Sequence, residues 1–314
     1  MVKFIPVKCQ DYKYPSDINP KIQERSANFF RTNIKKTDLR YLSLHTDPPK
    51  VWSGKQREKI LSSEFLKEFP SILDNMLDLG NSCVSKLWCD DKRWSKDFSC
   101  FLVRLTEGIE PQRIKIIEIH PPFDTYCNSL ETFIERYKTF EEEMSKNFPS
   151  TIICIENRCN TPHNSKFGKF ILSTNKDIIK LTKLISESHL KLKLVVDVTQ
   201  LFSEHYQHKL ISEEWMIEPV LAPLRDIRDF ITSTHIWGKT IKKPHNADLN
   251  IYFSNNQRVK NFFLQEICKL FDDGKTRYFL PEVLTRNDEM SVEESIESIV
   301  NDLRNAGIKF VEHE

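Results

Sequence analysis

Five side chains able to hold a metal ion stand at the ends of five successive apolar runs in this 314-residue chain. His120 closes RIKIIEIH, Glu156 closes TIICIE, Asp197 closes LKLVVD, His235 lies in ITSTHI, and Glu282 follows YFLP. A carboxylate beside so apolar a run is costly to bury unless it is paired or bound to a metal. Carboxylates mixed with imidazoles make an O/N site suited to Zn²⁺, Mn²⁺, Fe²⁺ or Mg²⁺. A single strand-end acid is as readily a helix cap or an ion-pair partner. Five in consecutive register point to a metal centre holding one or two ions, with Zn²⁺ or Mn²⁺ expected. Two ions would clamp a phosphodiester for in-line attack by a bound hydroxide. One ion, with Glu156 and Glu282 moving a proton, suits a sugar. Arg158 and Lys239, each just beyond a ligand strand, are either phosphate contacts or ion pairs at loop ends.

The elements that would position these groups follow from periodicity. Residues Arg113–His120, Thr151–Glu156, Leu192–Val196, Ile231–Ile236 and Tyr278–Pro281 read as strands, several of them continuously apolar as buried parallel strands are. Leu130, Phe133, Tyr137, Phe140, Met144 and Phe148 recur every three or four residues, which predicts a helix capped by Asn128 or Ser129. Further helices are expected from about Lys176, over Val259–Leu270 before Gly274, and from a Ser291–Glu294 capping box to Gly307. Residues Lys3–Val7 and Leu39–Leu44 read as strands with a helix between them, and a longer helix is expected over Lys55–Leu79. One further strand within Cys83–Leu105 brings the count to eight. The expectation is α/β: one parallel (β/α)₈ barrel with loop insertions over residues 1–314, its site at the mouth where strand ends converge. An open doubly wound sheet is the alternative. Ile308–Val311 would add a short terminal strand.

Composition sets limits. Hydrophobic content of 39% and charged content of 29% belong to a folded chain with a core. With 46 basic and 45 acidic side chains the net charge is +1, which disfavours a dedicated DNA-coating protein but permits a local basic groove. Seven glycines and no G-x-G-x-x-G or Walker-type loop leave no glycine-rich nucleotide cradle. Eight cysteines form no C-x-x-C pair, so they read as free thiols rather than a zinc ribbon. No apolar run is long enough for a bilayer, and MVKFIPVKCQ lacks the apolar core of a signal peptide, so a cytoplasmic enzyme without membrane contact is expected.

Other residues weigh less. His205 and His208 have helical i, i+3 spacing in a charged stretch, and His163 follows Pro162 in a polar loop. Trp237 is either a stacking platform for a base or sugar or a packed core residue. Trp52, Trp88 and Trp94 lie among Lys50, Lys55, Lys92 and Arg93. That grouping fits either a single-strand contact surface or a partly buried flank.

Taken in order, I-E-I-H-P-P, I-C-I-E-N-R, V-V-D-V-T-Q, T-H-I-W-G-K, P-H-N-A-D-L-N and F-L-P-E-V resemble the xylose-isomerase-like barrel superfamily, over roughly Arg113–Val283. That superfamily includes endonuclease IV-type apurinic endonucleases and sugar isomerases or epimerases. The resemblance implies a shared metal centre at Glu156, Asp197, His235 and Glu282. His120-Pro121 is similar to a ligand motif of the endonuclease branch, and Asp248 to another of its ligands. Two departures stand out: Gln200 occupies a position where that branch has a histidine, and Asn250 another. His245 is a candidate substitute, and His45 is the one candidate for an early histidine ligand. The leading expectation is a divalent-metal phosphodiesterase or nuclease acting on nucleic acid. A sugar isomerase or epimerase, with a phosphorylated or plain sugar substrate, and a degenerate binding protein are the alternatives.

Overall fold

The computed structural model describes residues 1–13, 21–25, 42–45, 52–53, 64–160 and 167–311, apart from 79, 81, 107–111, 113, 242 and 285. For residues 8–13, 21–25, 42–45, 52–53, 64–65, 82–83 and 105 it describes the backbone alone. The strands, in chain order, are β1 Lys3–Pro6, β2 Lys8–Lys13, β3 Lys21–Arg25, β4 Leu42–His45, β5 Trp52–Ser53, β6 Met76–Asp78 and β7 Ser82–Ser85. They continue with β8 Ile114–Ile119, β9 Ile152–Glu156, β10 Lys193–Asp197, β11 Ile231–His235, β12 Thr276–Leu280 and β13 Lys309–Phe310. The main sheet runs β13-β1-β12-β11-β10-β9-β8-β4-β2-β3. Its pairings are parallel except that of β2 with β3.

β1 and β2 are one run of chain interrupted only at Val7. Its first half pairs with β12 and its second half with β4, so the second place from either end of the strand order is held by the same run of chain. Counting that run once gives, among the described residues, seven parallel strands in a curled sheet, where eight were expected. The missing strand is the one assigned to Cys83–Leu105. Ser82–Ser85 is extended but pairs antiparallel with β5 and β6 in a separate three-stranded sheet. Trp94–Leu105 is a helix, because Trp94, Phe98, Phe101 and Leu102 repeat at helical spacing and are all buried. β13 pairs only with the start of β1.

Side-chain alternation makes two cores. Ile117 and Ile119, Ile153 and Ile155, Leu194 and Val196, Phe279 and Phe4 point outward under the helices. Val7, Ile116, Cys154, Val195, Tyr278 and Leu280 form a second cluster of their own. β1 and β9 are four places apart in the order, about 19 Å in a flat sheet at ~4.8 Å per strand. Their side chains meet in one cluster only because the sheet curls.

The helices are α1 Glu64–Lys67, α2 Pro70–Asp74, α3 Trp94–Leu105, α4 Leu130–Asn147, α5 Asn175–Glu187, α6 Val198–His205, α7 Glu218–Leu221, α8 Leu249–Tyr252, α9 Gln257–Phe271 and α10 Val292–Asn305. Ser129 caps α4 and accepts from the Thr132 amide at 3.1 Å. Capping boxes open α5 at Thr174–Asp177 and α10 at Ser291–Glu294. The single helix expected over Lys55–Leu79 is broken. Pro70 starts α2 afresh, since its ring blocks continuation of α1, and Met76–Asp78 is a strand. The helix expected between the first two strands falls largely outside the described residues, and Lys21–Arg25 within that stretch is a strand.

Candidate metal centre

Two residues beyond the inner apolar layer, the same face of each strand turns polar. Cys154 gives way to Glu156, Val195 to Asp197, Ser233 to His235 and Leu280 to Glu282, the last just past the end of β12. All four are buried, with Asp197, Glu156 and His235 at 0% exposure and Glu282 at 6%. They come from four consecutive strands of the sheet, and one ligand atom from each lies within 4.8 Å of the others. Two ligands of one ion can stand no further apart than about twice a ~2.1 Å bond. The spread is thus a few tenths of an ångström from that of a single ion's shell. Three carboxylates and an imidazole are hard-to-borderline donors that suit Zn²⁺, Mn²⁺ or Mg²⁺.

A shell of hydrogen bonds orients each donor. Gln200 Nε2 donates to Glu156 Oε1 at 2.9 Å and to Asp197 Oδ2 at 3.0 Å. Trp237 Nε1 donates to the same Asp197 Oδ2 at 2.9 Å, while Asp197 Oδ1 caps α6 by accepting from the Gln200 amide. His120 Nε2 lies 2.7 Å from Glu156 Oε2, and Arg158 reaches Glu156 Oε1 at 3.4 Å. Glu118, fully buried on β8, meets His235 Nε2 at 3.1 Å. The other ring nitrogen, Nδ1, faces Glu282 at 3.4 Å and Glu156 at 3.9 Å. Glu118 on the far nitrogen orients the imidazole ring so that Nδ1 faces the centre, where it would offer its lone pair to an ion that displaces its proton.

The electrostatics fit a cation. Burial and then the neighbouring Glu156 and Glu282 push Asp197 up to about 7. Burial alone would raise Glu156, but Arg158, His120 and His235 beside it hold its carboxyl well below the usual range. Against burial, His245 and His235 bring Glu282 down to about 2. Burial works against charge on His235, yet Glu118 foremost, with Glu282 and Glu156, raises it well above its ordinary value. Carboxylates crowded round one point draw positive charge to it, and a divalent ion would supply that charge.

A hairpin loop adjoins the centre. Gly238 and Ala247 bridge antiparallel, with Gly238 N donating to Ala247 O at 2.9 Å and Ala247 N returning to Gly238 O at 3.2 Å. A Cβ on Gly238 would stand 2.0 Å from the Asp248 carbonyl oxygen, so only glycine fits there. The loop carries His245, in left-handed backbone at φ 51°, onto the face of Trp237 at 3.7 Å between ring centroids. His245 Nδ1 lies 3.6 Å from Glu282 Oε2 and 3.0 Å from the Glu282 carbonyl oxygen. The loop also delivers Lys239 to a cleft of about 260 Å³ lined by Arg158, Gln200, Ser203, Trp237, Lys243 and His245 among others. Burial pushes the Lys239 ammonium down to about 8.

The residues picked from the sequence thus divide. Glu156, Asp197, His235 and Glu282 form the cluster. His120 and His245 each touch one of its glutamates, and Arg158 and Lys239 border it through the cleft. Asp248 is used elsewhere. Its Oδ1 caps α8 through the Ile251 amide at 3.1 Å, and its Oδ2 accepts from Ser298 at 2.7 Å and Asn250 at 2.8 Å. His208 bonds the Asn160 carbonyl through Nε2 at 2.7 Å, and neither it nor His205 belongs to a metal-competent group among the described residues. Trp88 and Trp94 are each 1% exposed and pack with Phe98, so they offer no single-strand contact surface. Lys50, Lys55 and His163 lie outside the described residues, as do the side chains of His45 and Trp52; the backbone sets His45 beside Glu118 in register. Glu118 was missed. The signal was present in I-E-I-H, since residues two apart on a strand share a face and His120 had already been placed inward.

No protein-family model matches the chain, and no curated protein matches it either. Among solved structures, the chain is similar to a D-tagatose 3-epimerase-like protein at 12% identity, covering 88% of this chain and 92% of that one, with a TM-score of 0.48. A xylose isomerase domain protein from Planctomyces limnophilus matches at 7% identity over 96% and 95%, with a TM-score of 0.44. A xylose isomerase domain-containing protein from Salmonella typhimurium LT2 matches at 13% over 67% and 68%, with a TM-score of 0.41. Likenesses of this size say nothing of substrate. Among the described residues no helix is long and apolar enough to cross a membrane.

Proposed function

We propose that this chain is a divalent-metal-dependent isomerase or epimerase acting on a small polyhydroxy compound. The observation that supports this reading is the single cluster of Glu156, Asp197, His235 and Glu282 around one point, with Glu156 and Glu282 on its two outer strands. When bound, the ion would polarise adjacent oxygens of the substrate and so acidify the intervening C–H. Glu156 and Glu282 are the proton carriers. For isomerisation one carboxylate takes the proton from one carbon and returns it to the neighbouring carbon on the same face. For epimerisation the other, protonated from solvent, delivers a proton to the opposite face while the first keeps the one it took. Asp197, fixed by Gln200 and Trp237, acts as a ligand and not as a base.

The test is metal analysis followed by a panel of ketoses and aldoses. At least one divalent ion per chain and interconversion of a ketose pair are expected, with activity lost in Glu156→Gln and in Glu282→Gln. Less than half an equivalent of metal after reconstitution, or unchanged turnover in both variants, would sink the reading. One observation favours a second reading, phosphodiester hydrolysis: His120 lies against Glu156 beside a cationic cleft. Cleavage of abasic or single-stranded DNA with Mn²⁺ or Zn²⁺, without sugar turnover, would establish that alternative.

A further inference from the structure

We infer that the cleft beside the metal centre is an oxyanion subsite built on Lys239 and Arg158, which holds the phosphate or carboxylate end of the substrate. It rests on the proposed reading only in assigning that anion to a substrate.

Lys239 is 4% exposed; among the described residues it makes no ion pair with a carboxylate, and its Nζ lies 6.0 Å from the centroid of the Tyr252 ring, which supplies no counter-charge. Its Nζ makes one hydrogen bond, to Ser203 Oγ at 2.7 Å, out of the three an ammonium can donate. Buried lysines are almost always paired, so a cation left in this state asks for an anion from outside. Arg158 shows the same deficit: its Nε is buried without a partner, and its Nη1 contacts to Glu156 and His120 are both long, at 3.4 Å. Both side chains line the same cleft, Lys243 joins them there, and no aspartate or glutamate is among the lining residues. In a chain of net charge +1 this local excess of cations is not a consequence of composition.

The surroundings define what fits. A guanidinium fork and an ammonium facing one cavity suit a tetrahedral or planar oxyanion. A space of about 260 Å³ admits a small molecule. Gln200, Trp237 and His245 line the cleft and also contact Asp197 or Glu282, so a ligand anchored at Lys239 would extend towards the metal cluster.

Inorganic phosphate and acetate, each titrated into the purified full-length chain by calorimetry, test this. Saturable binding of one or both is expected. It should weaken at least tenfold in Lys239→Met, recover substantially in Lys239→Arg, and stay within twofold in Lys193→Met, at the opposite end of the barrel. Phosphate preference would assign a phosphate ester, and acetate preference a sugar acid. A second readout uses the unaltered chain: phosphate or acetate should slow reductive methylation of Lys239, read by peptide mass spectrometry, by at least threefold. Absence of saturable binding by either anion, or equal binding in a folded Lys239→Met protein, would overturn the subsite. Anion binding that depends on Lys239 in a chain that takes up no metal would instead leave the subsite standing and remove the isomerase reading.

Discussion

Glu118 shows how much of this centre depends on a residue that never touches the ion's position. It fixes one nitrogen of His235 and so frees the other. Outer carboxylates of this kind contribute about 10–100-fold in metal affinity. Glu118→Gln is therefore expected to weaken metal binding by roughly tenfold or more, measured by competition with a chromogenic chelator. Unchanged affinity would mean that His235 is oriented by something else. A second residue-scale effect lies at the other end of β12. Arg277 is 2% exposed and pairs with Asp273 at 2.6 Å, and that pairing foremost brings Asp273 from 3.8 to about 2. A depressed carboxyl stabilises the fold above its unfolded value and loses that stability as pH falls towards the folded value. Asp273→Asn should thus cost about 2 kcal/mol at pH 7, and the gap from the parent should close as pH falls from 4 towards 2. Urea titrations at a series of pH values would read this, and a gap that stays constant with pH would contradict it.

Elements differ in how openly the sequence declares them. The caps at Ser129 and Ser291 work through bonds three residues away, so α4 and α10 were legible with their starts, whereas α5 was read only from about Lys176 and its Thr174 cap came from the structure. Strands β8 to β12 were legible because each is a largely apolar run with a polar ligand at its end, and β1 was legible at Lys3–Val7. The stretch Lys55–Leu105 was not, for two physical reasons. Pro70 divides what periodicity reads as one helix, and the Ser82–Ser85 strand satisfies its hydrogen bonds in a small antiparallel sheet, which its own residues do not reveal. The Gly238–Ala247 bridge lies between these cases: the glycine is visible, its necessity is not. Gly238→Ala should push a methyl into the Asp248 carbonyl and displace the loop that carries Lys239 and His245. The expected result is a loss of several kcal/mol on the order of other strained backbone substitutions, together with at least tenfold lower activity. Parent-like melting and turnover would show that the loop gives way without consequence.

At the scale of the molecule, metal and fold are expected to be linked. The cluster exists only when four strands are in register, so an ion held there would bind the folded chain and not the unfolded one. At a hundredfold excess over its dissociation constant it would add about 2.7 kcal/mol. Differential scanning fluorimetry should therefore show a rise in Tm with Zn²⁺ or Mn²⁺ that EDTA reverses and that is absent from the Glu156→Gln, Glu282→Gln double variant. A Tm indifferent to metal in the parent would argue against the centre itself.

The sequence by itself determined the α/β alternation and five candidate ligands at strand ends, because period-two patterning and strand-end position are local properties. That Glu156, Asp197, His235 and Glu282 form the cluster came from the resemblance and is what the fold brings together. It overcounted the strands, since whether an extended segment joins the main sheet depends on which edges remain unpaired elsewhere. It left Asp248 as a candidate ligand because an aspartate near a ligand strand and an aspartate capping a helix are the same residue until the chain folds. Only the tertiary structure set Glu118 against His235, Gln200 against both Glu156 and Asp197, and the cationic cleft beside an acidic centre. Apart from the local Gln200–Asp197 contact, each of these joins residues distant in the chain, brought together by the packing of neighbouring strands, helices and loops.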